Sequence, residues 1–105
     1  MILAALLGSL APAFPVSGES AGSVADTDAA ARYKKGASSY RKRCARCHGV
    51  NMVNPGPGIF DLRTFPREDK PRFVDSVING KNAMPSWGDV LEEHDIDALW
   101  VYVTQ

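Results

Sequence analysis

Residues 44–48 read Cys44-Ala45-Arg46-Cys47-His48, and this pentapeptide decides how the rest of the chain is read. Two thiols three positions apart, followed at once by an imidazole, form the attachment pattern of c-type haem. The spacing puts both sulfurs on one side of the chain, matched to the two vinyl groups of haem, so that two thioether bonds can form. The adjacent His48 then reaches the iron with an imidazole nitrogen. In a chain of 105 residues, which builds only a modest core, the covalent link also replaces missing apolar packing.

Other chemistries fit these residues less well. A thioredoxin-like dithiol opens a helix after a strand, where the dipole lowers the thiol pKa. Here the pair closes a helical pattern, and no strand pattern precedes it. A plain Cys44–Cys47 disulfide leaves His48 without a role. Zinc needs four ligands, and only His94 remains among the other cysteines and histidines. The second axial position falls to Met84, set against the ordinary fate of a methionine in the core. Its soft thioether favours ferrous iron and raises the reduction potential above that of two histidines. Met84 lies in a loop between two helical patterns, followed by Pro85, so the chain can wrap the macrocycle and return. Met52 is too close to His48 for that, and His94 reads as an exposed residue of the last helix. The other ring nitrogen of His48 needs an acceptor to fix its tautomer. The carbonyl of Pro57 is the expected one, with Pro55 second and a plain proline turn as the bland reading.

Hydrophobic spacing around the motif predicts three helices and no convincing strand, an all-α chain. From about Thr27 to Cys47, Tyr33, Ala37, Tyr40, Cys44 and Cys47 share one face, with Asp26 or Asp28 as cap. A second helix runs from about Asp69, its candidate cap, to Asn79, with Pro71 in the first turn and Gly80 as the stop. A third covers about Glu92 to Val103. Between the first two lies a Gly/Pro-rich loop with a short helical turn around Phe60 to Arg63. Apolar residues make up 45 % and charged residues 23 %, the balance of an ordinary globular domain and not of a disordered chain. Lysine plus arginine number 12 and aspartate plus glutamate 12, which argues against a general nucleic-acid binder.

At the N-terminus, Ile2 to Leu10 is an apolar run about half the length that spans a bilayer. Ala11-Pro12-Ala13 then offers small residues where a signal peptidase reads. The expectation is a signal peptide over 1–13, a loose lead-in over 14–28 and a folded domain over 29–105, with export to the periplasm. No Lys or Arg precedes the run, so either the N-terminal amine serves alone or the true start lies upstream. An uncleaved anchor or a frayed tail is the other reading.

These motifs resemble the class I (monohaem) cytochrome c family in its compact bacterial form, over about Asp28 to Val103. Gly36 and Tyr40 ahead of Cys44 resemble its N-terminal helix, and Leu99 with Tyr102 its C-terminal helix. Gly56-Pro57-Gly58-Ile59 resembles the loop that supplies the histidine's acceptor. Ala83-Met84-Pro85-Ser86-Trp87-Gly88 resembles the axial-methionine loop. The resemblance implies a cytochrome c fold, about three main helices around one covalent haem c, with iron held by His48 and Met84. It also implies that Gly36 lets two helices cross closely while Tyr40 packs on Tyr102. Arg63 is placed either near a haem propionate or on the exposed surface, and Trp87 either on the haem edge or as a loop anchor. Glu92 departs from the Ser, Thr or Asp common at the last helix's cap, so that cap is weaker or comes from elsewhere. A narrower similarity, in Asp61-Leu62-Arg63, Gly80 and Met84 to Leu91, points to cytochrome domains that accept electrons from quinone-cofactor alcohol dehydrogenases.

With both axial positions filled, no coordination site is open. The reading is therefore a one-electron carrier and not an enzyme. It passes electrons from a periplasmic dehydrogenase to an oxidase or cytochrome acceptor, without nucleic acid and without a transmembrane segment. A haem peroxidase or ligand-binding sensor is the alternative if Met84 does not ligate, and a thiol redox protein if no haem is attached. Arg32, Lys34, Lys35, Arg41, Lys42, Arg43 and Arg46 crowd one stretch, and Asp89, Glu92, Glu93, Asp95 and Asp97 another. The basic face either steers the protein to an acidic partner or is simply solvated.

Overall fold

The protein was analysed as a computed structural model that describes residues 8–13 and 21–105. Residues 1–7 of the expected signal segment and 14–20 of the expected lead-in lie outside the described residues. The elements are α1 (Ala21–Arg43), α2 (Ala45–His48), 3₁₀ turns at Val50–Met52 and Leu62–Thr64, α3 (Lys70–Asn79) and α4 (Glu93–Val103). Among the described residues there is no strand, only an isolated bridge between Lys81 and Met84, and the class is all-α.

Two expectations about the first helix need correction. It begins at Ala21, so the lead-in is helical from that point and Asp26 and Asp28 lie inside the helix rather than at its cap. Residues 26–35 are exposed, so strong helix formers such as Ala29, Ala30 and Ala31 sustain this part without an apolar face. Nor does the helix run unbroken to Cys47. The Cys44 carbonyl accepts from both Cys47 N–H (3.1 Å) and His48 N–H (2.9 Å), and this shared acceptor tightens the turn that separates α1 from α2.

α1 and α4 cross closely, and Gly36 is why they can. A Cβ at Gly36 would lie 2.0 Å from the Ala98 carbonyl oxygen, a backbone atom that cannot swing away. On either side of the crossing, Tyr102 stacks with Tyr33 (ring centroids 5.5 Å) and with Tyr40 (5.0 Å), as the family pattern implied for Tyr40. Lys35 of α1 pairs with Asp95 of α4 at 3.2 Å. The same Asp95 caps its own helix by accepting the Glu92 N–H at 2.9 Å. These contacts hold the Asp95 carboxyl below its ordinary range, the Glu92 N–H first and Lys35 after it. The missing Ser, Thr or Asp at the cap position is therefore made good from three residues downstream. At the other end, Arg67 donates to the carbonyls of Thr104 and Gln105, as suits a cation at a helix C-terminus.

α3 starts after Asp69, whose carboxylate turns to Arg72 (3.6 Å) and not to the helix backbone as a cap. Its Phe73 and Val77 join Tyr40, Ile96, Leu99, Tyr102 and Val103 in the core. Phe65, Phe73 and Trp100 meet there at 5.1–5.8 Å between ring centroids.

Gly36→Ala tests the crossing. Helix propensity alone favours alanine by up to about 1 kcal/mol. Forcing a methyl into packed backbone costs about 1–3 kcal/mol or more, so the clash wins. The expected outcome is a lower thermal midpoint for the haem-loaded protein, read by circular dichroism.

Candidate haem-attachment site

A cleft of 740 Å³ opens between the end of α1, α2, the 58–65 loop, α3 and the loop that follows α3. This volume lies within the ~300–1,000 Å³ usual for cofactor sites. Cys44, Cys47, His48 and Met84 all line it, the first three from the α1–α2 turn and Met84 from the loop after α3. Cys44 is half-buried, Cys47 is exposed, and no disulfide joins them. Leu62, Phe65, Phe73, Val77, Leu99 and Val103 supply an apolar wall that can exclude water from a flat hydrophobic ring.

His48 Nδ1 lies 3.1 Å from the carbonyl oxygen of Phe60. A carbonyl can only accept, so the proton sits on Nδ1, and Nε2 keeps a lone pair for a metal. This corrects the expectation for Pro57. The Asn54 side-chain amide donates to the Ile59 carbonyl (2.6 Å) and its oxygen accepts the Gly56 N–H (3.0 Å). The loop thus closes on itself with Pro57 exposed and outside the cleft lining. The carbonyl that meets His48 is that of Phe60, just beyond this closed turn. Phe60 was missed because the turn's geometry, and not the local sequence pattern, decides which carbonyl faces the ring.

The Met84 loop is pinned to the end of α3. Lys81 and Met84 exchange backbone hydrogen bonds (3.1 and 2.9 Å), Trp87 N–H donates to Val77 (2.8 Å) and Gly88 N–H to Ile78 (3.2 Å). Ser86 Oγ donates to the same Ile78 carbonyl. Gly80, at φ +77°, makes the turn, and a Cβ there would meet the Met84 carbonyl oxygen at 2.6 Å.

The cleft is electrostatically one-sided. Lys42, Arg43, Arg46, Arg72 and Lys81 line it, and among its described lining residues there is no Asp or Glu. Arg63, which the family pattern placed near a propionate or on the surface, is exposed and outside the lining. Asp61 holds it through Nε and Nη2, each 3.0 Å from a carboxylate oxygen. That contact also keeps the Asp61 carboxyl below its usual range. Arg72 faces the cleft instead, its guanidinium 4.6 Å from the Phe65 ring centroid. Trp87 lines the cleft and also packs against the core.

Comparison with known proteins adds the family. Residues 31–103 match the family model described as cytochrome c oxidase, cbb3-type, subunit III. The chain belongs to the monohaem cytochrome c family. It is 36 % identical over 80 residues to cytochrome c6 of Bryopsis maxima, covering 65 % of this chain and 84 % of that one. It is 36 % identical to cytochrome c6 of Microcystis aeruginosa over 72 residues, covering 65 % and 89 %. It is also 40 % identical over 83 residues to the cbb3-type oxidase subunit FixP of Azorhizobium caulinodans, covering 74 % of this chain but only 27 % of FixP. No solved structure matches significantly. As a family member this cytochrome carries covalent haem c with its iron, and its chemistry is electron transfer. The cleft fits that group: two thiols at the right spacing, nitrogen and sulfur donors, an apolar wall, and cations suited to the haem's two carboxylates. No helix among the described residues is long and apolar enough to cross a membrane.

Tyr40, fully buried beside Cys44, donates its hydroxyl to the Gly49 carbonyl at 2.6 Å and so braces the turn that follows His48. Burial pushes its pKa to about 12, with Tyr102 adding to the rise; the Cys44 charge that also adds belongs to the free thiolate and is absent once the thioether has formed. The folded protein keeps this proton between pH 10 and 12 while the unfolded chain releases it. Stability from this group is therefore intact below pH 10 and lost as pH climbs to 12. Tyr40→Phe removes this bond while the Gly49 carbonyl keeps the Met52 N–H at 3.2 Å, so the cost near neutrality is that of one hydrogen bond, about 0.5–1.5 kcal/mol. The variant should also lose stability less steeply than wild type across that alkaline window in denaturant titrations.

Proposed function

We propose that this cytochrome is an exported one-electron carrier, with haem attached through Cys44 and Cys47 and iron held between His48 and Met84. The observation that carries this reading is the convergence of these four side chains, from two separate segments, on one apolar-walled cleft. When bound, the haem supplies the Fe(II)/Fe(III) couple. His48, fixed as the Nδ1–H tautomer by Phe60, offers Nε2. Met84, fixed by the backbone bonds to α3, offers a sulfur that favours the reduced state. Two protein ligands leave no position for a substrate, which supports a carrier over a peroxidase or a sensor.

The donor in this proposal is a periplasmic dehydrogenase of the quinone-cofactor alcohol type, supported by the pattern Asp61-Leu62-Arg63 and Met84 to Leu91. The relatives named as cbb3-type oxidase subunits support an oxidase as acceptor, with export read from residues 1–13. Lys42, Arg43 and Arg46 at the cleft supply a basic docking face, whereas Lys35 is spent on Asp95 of α4.

The test is an absorption spectrum of protein matured with haem in a periplasm. A c-type reduced spectrum and the weak red-end band of sulfur-to-ferric-iron ligation are expected. Met84→Ala should abolish that band and lower the midpoint potential. A haem spectrum lacking the band in wild type would reject methionine ligation. Docking has its own measurement. The Debye length falls from about 30 Å at 0.01 M salt to about 3 Å at 1 M, so reduction by an acidic donor should slow steeply over that range. A rate indifferent to salt would remove steering from the account.

A further inference from the structure

Arg43 is the last residue of α1, directly before Cys44, and Trp87 lies three residues beyond Met84. Both line the cleft, and the Arg43 guanidinium carbon sits 5.7 Å from the Trp87 ring centroid. We propose that this pair braces the Met84 loop against the haem-attachment segment, so that Arg43 and Trp87 are positioning residues for the axial sulfur. The inference rests on the reading that Met84 ligates the iron.

The argument comes from where the loop is tied. Its hydrogen bonds from Trp87, Gly88 and Ser86 all run to carbonyls of α3, at Val77 and Ile78. They fix the loop to α3 but not to the wall that carries Cys44, Cys47 and His48. The distance between His48 and Met84 therefore depends on a tie across the cleft, and Arg43 over Trp87 is such a tie. A cation within about 6 Å of an indole face is attracted by the ring quadrupole. Among the described residues no carboxylate stands within ion-pair distance of Arg43, unlike Arg63, held by Asp61, and Arg72, beside Asp69. Trp87 is held from behind by the core and by its N–H bond to Val77. The indole is thus backed by the core, and the exposed Arg43 guanidinium faces it.

The test is imidazole titration of the ferric, haem-loaded protein under conditions where imidazole is neutral. The probe competes with the methionine sulfur for iron, and its neutrality removes any charge steering by Arg43. Arg43→Gln and Trp87→Leu should each raise imidazole affinity about two- to fivefold, the range of one half-exposed cation–π contact. Each should also weaken the red-end band, and Arg43→Lys should restore part of the loss. The double variant should bind imidazole no more tightly than the stronger single variant, because both remove one interaction. If Trp87→Leu does not fold with haem, Trp87→Phe takes its place in the cycle, with a reduced coupling expected. An Arg43→Gln effect of equal size with and without Trp87 overturns the brace. So does a lowered thermal midpoint with unchanged imidazole affinity. Failure of the underlying reading looks different: wild type itself lacks the band, and Met84→Ala binds imidazole no better than wild type.

Discussion

The crossing of α1 on α4 at Gly36 and Ala98 is the constraint on which the rest depends. No side chain separates the two backbones there, so the angle and depth of the contact leave little freedom. The attachment side of the cleft is set by that contact. Tyr40 is one turn further along α1, locked against Tyr102, and Cys44 follows one turn later. Leu99 and Val103 of α4 become cleft wall because the crossing turns them that way. A shift of α1 along α4 would move both thiols and the histidine together. The haem-attachment motif is thus local in sequence but global in placement.

The site has two anchors of different kinds. The attachment side is rigid through side-chain packing and the buried Tyr40 hydrogen bond to Gly49. The methionine side is rigid through backbone bonds to the end of α3, where Gly80 permits an approach that no other residue would. The distinction matters for tuning. Backbone bonds survive nearly any side-chain substitution, so the methionine loop keeps its internal shape. Its distance from the opposite wall is the softer variable, and under the proposed ligation that distance sets how firmly the Met84 sulfur holds iron.

The residues most legible in the sequence were those whose chemistry is fixed by spacing alone. Cys44, Cys47 and His48 announce themselves because two vinyl groups demand two thiols at that separation. The ends of α3 and α4 were legible through Pro71, Gly80 and the apolar stripes. The start of α1 was not, because its exposed alanine-rich turns carry no apolar period to read. Pro57 was a poor choice of acceptor for a reason no pattern reveals: the turn that Asn54 closes leaves Pro57 exposed and outside the cleft, while the Phe60 carbonyl faces His48. For Arg63 the surface reading is the one the structure bears out. Its partner Asp61 lies two residues away, and a carboxylate that close competes for a guanidinium before any distant anion does. That competition was visible in Asp61-Leu62-Arg63, once short-range pairing is weighed ahead of family analogy.

A formal charge of zero hides a strongly sorted surface. The acids of α4 are partly answered by Lys35 and Lys70, at 3.2 and 2.8 Å. The cations around the cleft have no carboxylate among its lining residues. Such an arrangement favours the bound haem's two carboxylates remaining ionised, and it leaves cations over for a partner. It also acts on the iron. Whatever positive charge remains after the haem's carboxylates and after Asp69, 3.6 Å from Arg72, favours the reduced state, the direction in which a methionine ligand also acts. Under the proposed Met84 ligation, charge and ligand therefore act in the same direction.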